Sequence, residues 1–535
     1  MGALAQELRT RRWIPRVGAS VLALAMLTGC VSGTAEPSPP GASQGSEEEG
    51  EPQAGGVFRY ASVGTQTGYD PLLRGTMDSS MIGIYDTLTR YNEDGEVEPY
   101  LAESLESEDA QHWTLTLRPD ITFHDGTPVD AEAVVFNIER HRDPQNASSA
   151  ASYVRDIESV EAVDDLTVEF VLSSPVASFP STLTTAAGAI ASPTAVEKAG
   201  KDYGRTTAVG AGAFTFEEWK PDQITILKKN PDYWQDGLPY LDEFHEVPMS
   251  DTQTRFAAFQ GMSVEAAWFQ EPTQLKWAQD NPDQATLHSP SGGVGGTGLV
   301  FQVETPPFDD IRVRRAVAMA VNTEALDKSL FQGTMPGISG PFQEGSIWYN
   351  GESEWPTYDQ GAAEELVEEY EAENGSLSFT LGCHNAPDRR RYVELIQSML
   401  TEVGMDVELD TPDVAEYVAA TFAKDFEVGC FPKNGTDPDL IYYPSFSCDG
   451  PVTSNFFGYC NEEVDAALIE GRESLDMETR KAAYAEFEKG IAEDLPMVWH
   501  WGDTFSVITQ PGVHGYVSNP SNPTDWAPGY LWLDQ

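Results

Sequence analysis

Trp499-His500-Trp501 sets an imidazole between two indoles. Strand alternation would aim Trp499 and Trp501 to one face and His500 to the other. Two indoles on one wall would suit sugars, aromatic side chains or cations. Core packing explains the same pair equally well, because tryptophan is buried almost wherever it occurs. His500 has the chemistry of a metal or haem ligand. The glycine-rich run 291–298 has no phosphate-loop lysine, so it reads as an exposed loop or hinge, with a cleft-lining backbone as the alternative. Neither a G-x-S-x-G elbow nor H-E-x-x-H occurs. Catalysis, cofactors and a resident metal are therefore not expected.

Five cysteines remain to be placed. Cys30 ends Leu27-Thr28-Gly29-Cys30, after a basic stretch with Arg9, Arg11, Arg12 and Arg16 and a short apolar run. That pattern resembles a lipoprotein signal: small residues admit a peptidase and the following thiol accepts the lipid. Residues 1–29 are expected to be the signal peptide, with the export route, general or twin-arginine, open. Residues 30–56, rich in Ser, Pro, Gly and Glu, cannot offset their ordering entropy by burial. They read as a tether with a reach of about 25–30 Å. The other four cysteines, in an exported chain, suggest two disulfides.

The elements behind these residues change character along the chain. The first half is mixed α+β. A strand opens at 57–61, another lies at 112–117, a helix follows with Asp130 as its N-cap, and 157–163 with 166–172 form a hairpin. In the second half, strands at 377–381, 405–409 and 426–430 alternate with helices at 388–403 and 414–422. A β-α-β-α-β run calls for a parallel sheet with right-handed crossovers. If its strand order is 2-1-3, Cys383 and Cys430 end neighbouring strands and can bridge, while Cys448 and Cys460 close a short loop. Helices near 462–470 and 478–493 precede strands near 497–501 and 505–508.

At 535 residues the chain is too long for one core. The formal net charge is −54. Such a field repels phosphate backbones, which argues against nucleic acid. It fits solubility or salt adaptation, and more weakly a taste for cationic ligands.

Several blocks resemble the peptide/nickel-type, family 5 extracellular solute-binding proteins of ABC importers. They are 100–105, 113–118 and Ile121-Thr122-Phe123-His124-Asp125-Gly126-Thr127-Pro128-Val129, then Val209-Gly210-Ala211-Gly212-Ala213-Phe214, Asn230-Pro231-Asp232-Tyr233-Trp234, 307–316 and 459–465. They run in order from about residue 57 to the end. The blocks themselves read as structural: Phe123–Gly126 is a strand end and turn, with Gly126 supplying the unusual backbone angle.

The resemblance implies an α/β, two-lobed flytrap with an extra subdomain on the first lobe. The expected boundaries are 57–88, 206–305 and 499–535 for lobe I, 89–205 for the subdomain and 306–498 for lobe II. It implies a lipid-anchored monomer at the outer face of the cytoplasmic membrane or in the periplasm. Such a monomer delivers a small ligand to permease subunits. A ligand touching both lobes stabilises the closed state. In peptide-binding members an aspartate of one loop pairs with the ligand's α-ammonium. That position falls here on Asn434, beside Lys433, in Phe431-Pro432-Lys433-Asn434-Gly435-Thr436-Asp437-Pro438-Asp439. Asparagine is neutral and lysine repels an ammonium, leaving Asp437 as a substitute. Oligopeptide is the leading ligand. Asn434 and the tryptophans raise an oligosaccharide, and His500 raises a nickel chelate. A secreted hydrolase is the rival from another class.

Overall fold

The computed structural model describes residues 50–64, 66–290, 292–335, 337–502, 505–519 and 522–534. Cys30 and the expected signal lie outside them. The chain's acidity has a local use: many helices start on an aspartate whose carboxylate accepts from a first-turn N–H. Asp130 caps Ala131–Arg142, Asp413 caps Val414–Phe422 and Asp476 caps Met477–Asp494. An anion there also faces the positive end of the helix dipole.

Two large sheets organise residues 51–535. The first has seven strands, ordered Thr286–His288, Ser506–Thr509, Ala266–Phe269, Val57–Ser62, Glu243–Pro248, Ile224–Lys229 and Phe214–Lys220. Val57–Ser62 is parallel to both its neighbours, and the other pairings are antiparallel. One face packs on helices Thr252–Gln260 and Pro272–Asp280 through Phe259, Phe269 and Leu275. The other shares a continuous core with a four-stranded antiparallel sheet. That sheet is ordered Ala102–Ser107, His112–Leu117, Thr167–Leu172 and Ile157–Ala162, and it is the extra subdomain.

The second lobe is built on five strands, ordered Asp406–Asp410, Ser378–Gly382, Val428–Gly435, Val294–Phe301 and Met497–Trp501. The β-α-β-α-β run is parallel in the order 2-1-3. Two antiparallel strands extend it, so the sheet is mixed. Those two correct the expected boundaries: Val294–Phe301 and Trp499–Trp501 fall in the ranges assigned to lobe I, yet both strands hydrogen-bond in the second sheet. The chain therefore crosses between sheets after His288 and again after Trp501.

The glycine-rich run is not an exposed loop. Val294–Phe301 is buried at every residue, and its glycines let neighbouring backbones close in. A Cβ on Gly298 would stand 1.8 Å from the Val498 carbonyl oxygen; one on Gly295, whose φ of +85° is left-handed, would stand 1.6 Å from the Lys433 carbonyl oxygen.

Cys383 is bonded to Cys430 and Cys448 to Cys460, with Cα separations of 5.3 and 4.6 Å.

Candidate functional site: a cleft between the lobes

The strand Val428–Gly435 sits in the middle of its sheet and ends at Asn434 and Gly435, with Thr436 next in the chain. Pro438 then opens a helix, capped by Asp437. The carboxyl ends of strands in open α/β sheets are where ligands usually lie. Here that end faces a cavity of about 440 Å3. The second lobe contributes Asn434, Thr436 and Arg472, the subdomain Arg155 and Asp156, and the C-terminal segment Asp525. A recess of about 70 Å3 adjoins it and shares Tyr91, Thr184, Asn519 and Asp525.

Polar contacts bridge the lobes along one side. Arg472 donates from Nη1 to both oxygens of Asp439, at 2.8 and 3.0 Å, and from Nη2 to Asp156 of the subdomain at 2.5 Å. Ser178 donates to Asp439, and Tyr91 to Thr436 at 2.8 Å. Burial pushes the Asp439 carboxyl up, with Arg472 opposing. An interlobe bridge favours the closed state, and apparent affinity scales with the closed population. Asp156, about a third exposed, holds the bridge from the subdomain side. Asp156→Ala is expected to weaken ligand binding about fivefold, the worth of roughly 1 kcal/mol for a partly screened pair. Titration calorimetry checks it, and an unchanged affinity would remove Arg472 from the closing mechanism.

The residues singled out from sequence do not all meet at this cleft. Asn434 lines it. Lys433 points the other way, as alternation requires: its Nζ donates to Ser445 Oγ at 2.9 Å and the Ser454 carbonyl at 3.0 Å, and burial pushes it down to about 8. Asp437 is 4% exposed and is held by Arg480, with Oδ1 at 2.9 Å, and by Ser181 of the subdomain at 3.3 Å. Its carboxylate is a capping and pairing group, and it does not line the cavity.

The tryptophan pair also needs correcting. Thr297 pairs with Trp501 and the next residue, Gly298, with Trp499. His500 is thus an extra residue in a β-bulge, and the bulge breaks the period of two. Trp499 turns into one core, 5.4 Å from the Trp355 ring. Trp501 turns into the other, 4.6 Å from Tyr392, and edges a separate cavity of about 210 Å3 beside Arg389. Neither lines the cleft. His500 is buried; its Nδ1 lies 2.6 Å from the Tyr392 hydroxyl, and burial pushes it down to about 3. A neutral, enclosed imidazole with a tyrosine partner is a core group. Among the described residues no cluster of three or more His, Cys, Asp or Glu could hold a metal.

Sequence reasoning missed Arg472, Asp156 and Asp525. None sits in a motif, and only the fold brings them together.

Two lobes around a polar cleft lined from both are the arrangement of a binding protein. Residues 96–452 match the bacterial extracellular solute-binding proteins, family 5, and the chain belongs to that family. Its members are solute-binding components of ABC importers, not enzymes, and so is this chain. The glutathione-binding protein GsiB of Pectobacterium atrosepticum is 29% identical over 427 residues, which cover 78% of this chain and 82% of that one. Among solved structures, HbpA2 from Haemophilus parasuis superposes with a TM-score of 0.80 at 22% identity, covering 90% of this chain and 100% of the other. The periplasmic binding protein DppA from Helicobacter pylori, in complex with the peptide STSA, gives 0.72 at 24%, covering 90% and 99%. These structures show that the fold is shared.

Proposed function

We propose that this chain captures a short peptide or peptide-like solute between its lobes and hands it to permease subunits in the membrane. The observation that carries the reading is the cavity of about 440 Å3 lined from both lobes and the subdomain. Its size falls within the usual range of about 300–1,000 Å3 for small-ligand sites. Arg155, on the cavity wall and 59% exposed in its side chain, offers a guanidinium to a peptide carboxylate. A bidentate grip of that kind is strong once closure excludes water. The likeness to a protein named for glutathione, and to one holding a peptide, supports the same ligand class. The tryptophans and His500, which raised a sugar or a nickel chelate, lie away from the cleft.

The crossings after His288 and Trp501 would serve as the hinge, and a lipid on Cys30 would hold the monomer at the outer face of the membrane. The test is thermal denaturation and calorimetry with reduced glutathione, di- to tetrapeptides, oligosaccharides and nickel–histidine. A member of the peptide set is expected to raise Tm and saturate at one site. Saturation by sugars or the nickel complex alone would overturn the reading.

A further inference from the structure

We propose that Asp525 is the anchor in this cleft for a positively charged nitrogen of the ligand. The proposal rests on reading the cavity as the ligand cleft, and names the chemistry of one end of it. Asp525 lies on the strand Asn522–Trp526. Its neighbour Trp526 is fully buried, with ring contacts to Phe58, Tyr60 and Phe244 at 5.4–5.6 Å. Alternation then turns Asp525 the other way. It lines both the 440 Å3 cavity and the 70 Å3 recess, so it stands where they meet.

The other carboxylates around this space are already engaged. Asp439 and Asp156 share Arg472. Asp86, in the recess, accepts from Trp234 Nε1 at 2.6 Å and the Tyr233 hydroxyl at 3.0 Å. Asp525 accepts no hydrogen bond and pairs with no cation among the described residues. Arg74 and Arg90 are committed too: Arg74 donates to Asp78 at 2.8 Å, and Arg90 to Glu98 at 2.7 Å and the Tyr530 hydroxyl at 2.7 Å.

A carboxylate in that position costs free energy unless a countercharge arrives. Burial, and secondly the charge of Asp78, push the Asp525 carboxyl up to about 7. An ammonium or other small cationic head entering the recess would supply both the missing charge and the missing donor, in a charge-assisted hydrogen bond. It would also give the strongly acidic chain a specific use for one of its charges, where the net charge alone names no site.

The test uses matched ligands on the full chain: di- to tetrapeptides with a free α-amino group against their N-acetylated forms, and glucosamine oligomers against N-acetylglucosamine oligomers. Each is titrated into the unaltered protein and into Asp525→Asn. The expected result is that N-acetylation weakens peptide binding at least 30-fold in the unaltered protein. Asp525→Asn should lose a similar factor for the free amine and nothing for the acetylated form. The acetylation comparison needs no variant, so a poorly folding Asp525→Asn does not spoil it. Equal binding of both forms by the unaltered protein, or a variant that keeps the preference, would overturn the anchor and leave the peptide reading standing. Binding of amino sugars through Asp525 with no peptide bound would do the reverse. No binding from either set would remove both.

Discussion

Arg480→Ala is expected to cost about 3–5 kcal/mol of stability, the range for stripping one partner from a buried ion pair. Arg480 is 5% exposed and Asp437 4%. The guanidinium donates to both Asp437 oxygens, at 2.9 and 3.1 Å, and through Nε to the Gly471 carbonyl at 2.9 Å. It also stands 4.9 Å from the centre of the Trp348 ring. Alanine would leave the Asp437 carboxylate enclosed without a countercharge, while that carboxylate still caps the helix Pro438–Phe446. Arg480→Met combined with Asp437→Asn should recover a large part of the loss, because no charge is then stranded. Asparagine also remains a good cap. Urea denaturation of the three proteins at pH 7 checks this. A loss below about 1 kcal/mol for Arg480→Ala, the worth of an exposed pair, would show that water reaches the site. Asp437 directly follows Thr436, which lines the cleft with Asn434, so loss of the pair should weaken ligand binding as well.

What the sequence reveals of this fold follows from how local each signal is. The β-α-β-α-β run is readable because strand and helix periodicity alternate within single segments. The bounds of its first two strands and both helices match the structure to within one residue, and Val414–Phe422 matches at both ends, while the third strand, expected at 426–430, runs from Val428 to Gly435. Asp130 is readable as a cap because capping is decided within four residues. Val294–Phe301 is not readable, since its glycines look like a loop until two strands from far later in the chain, Val428–Gly435 and Met497–Trp501, close around it. The tryptophan pair fails for a related reason. The bulge at His500 is set by the partner strand, and one extra residue sends Trp499 and Trp501 into different cores. In the cleft, Asn434 was reachable through its loop. Arg472, Asp156 and Asp525 come from three separate parts of the chain, and their types and spacing hold no trace of the meeting.

Removing the Cys383–Cys430 bridge by a paired change to serine is expected to cost about 4 kcal/mol in the chain-entropy account, which scales with the logarithm of the closed loop. The bonded residues are 47 apart, and the loop they close contains the helices Pro387–Glu402 and Val414–Phe422. Opening it frees a long stretch of unfolded chain. The corresponding change at Cys448 and Cys460, only 12 apart, should cost about 3 kcal/mol by the same scaling. Both Cys383 and Cys430 are buried, at 0% and 4% exposure. Reductant should therefore reach that bridge only after local unfolding, and the folded protein should keep it in mild dithiothreitol. Cys430 also lies on the strand that ends at Asn434, and its carbonyl accepts from the Tyr417 hydroxyl at 3.0 Å. The bridge therefore ties that strand to its neighbour Ser378–Gly382 four residues before Asn434, so it steadies the strand that leads into the cleft. Urea midpoints of the two double-serine proteins, with ligand affinity measured beside them, separate the effects. The Cys383–Cys430 variant should be the less stable and the weaker binder. The opposite order would show that the strand ends are held by the sheet and not by the bridge.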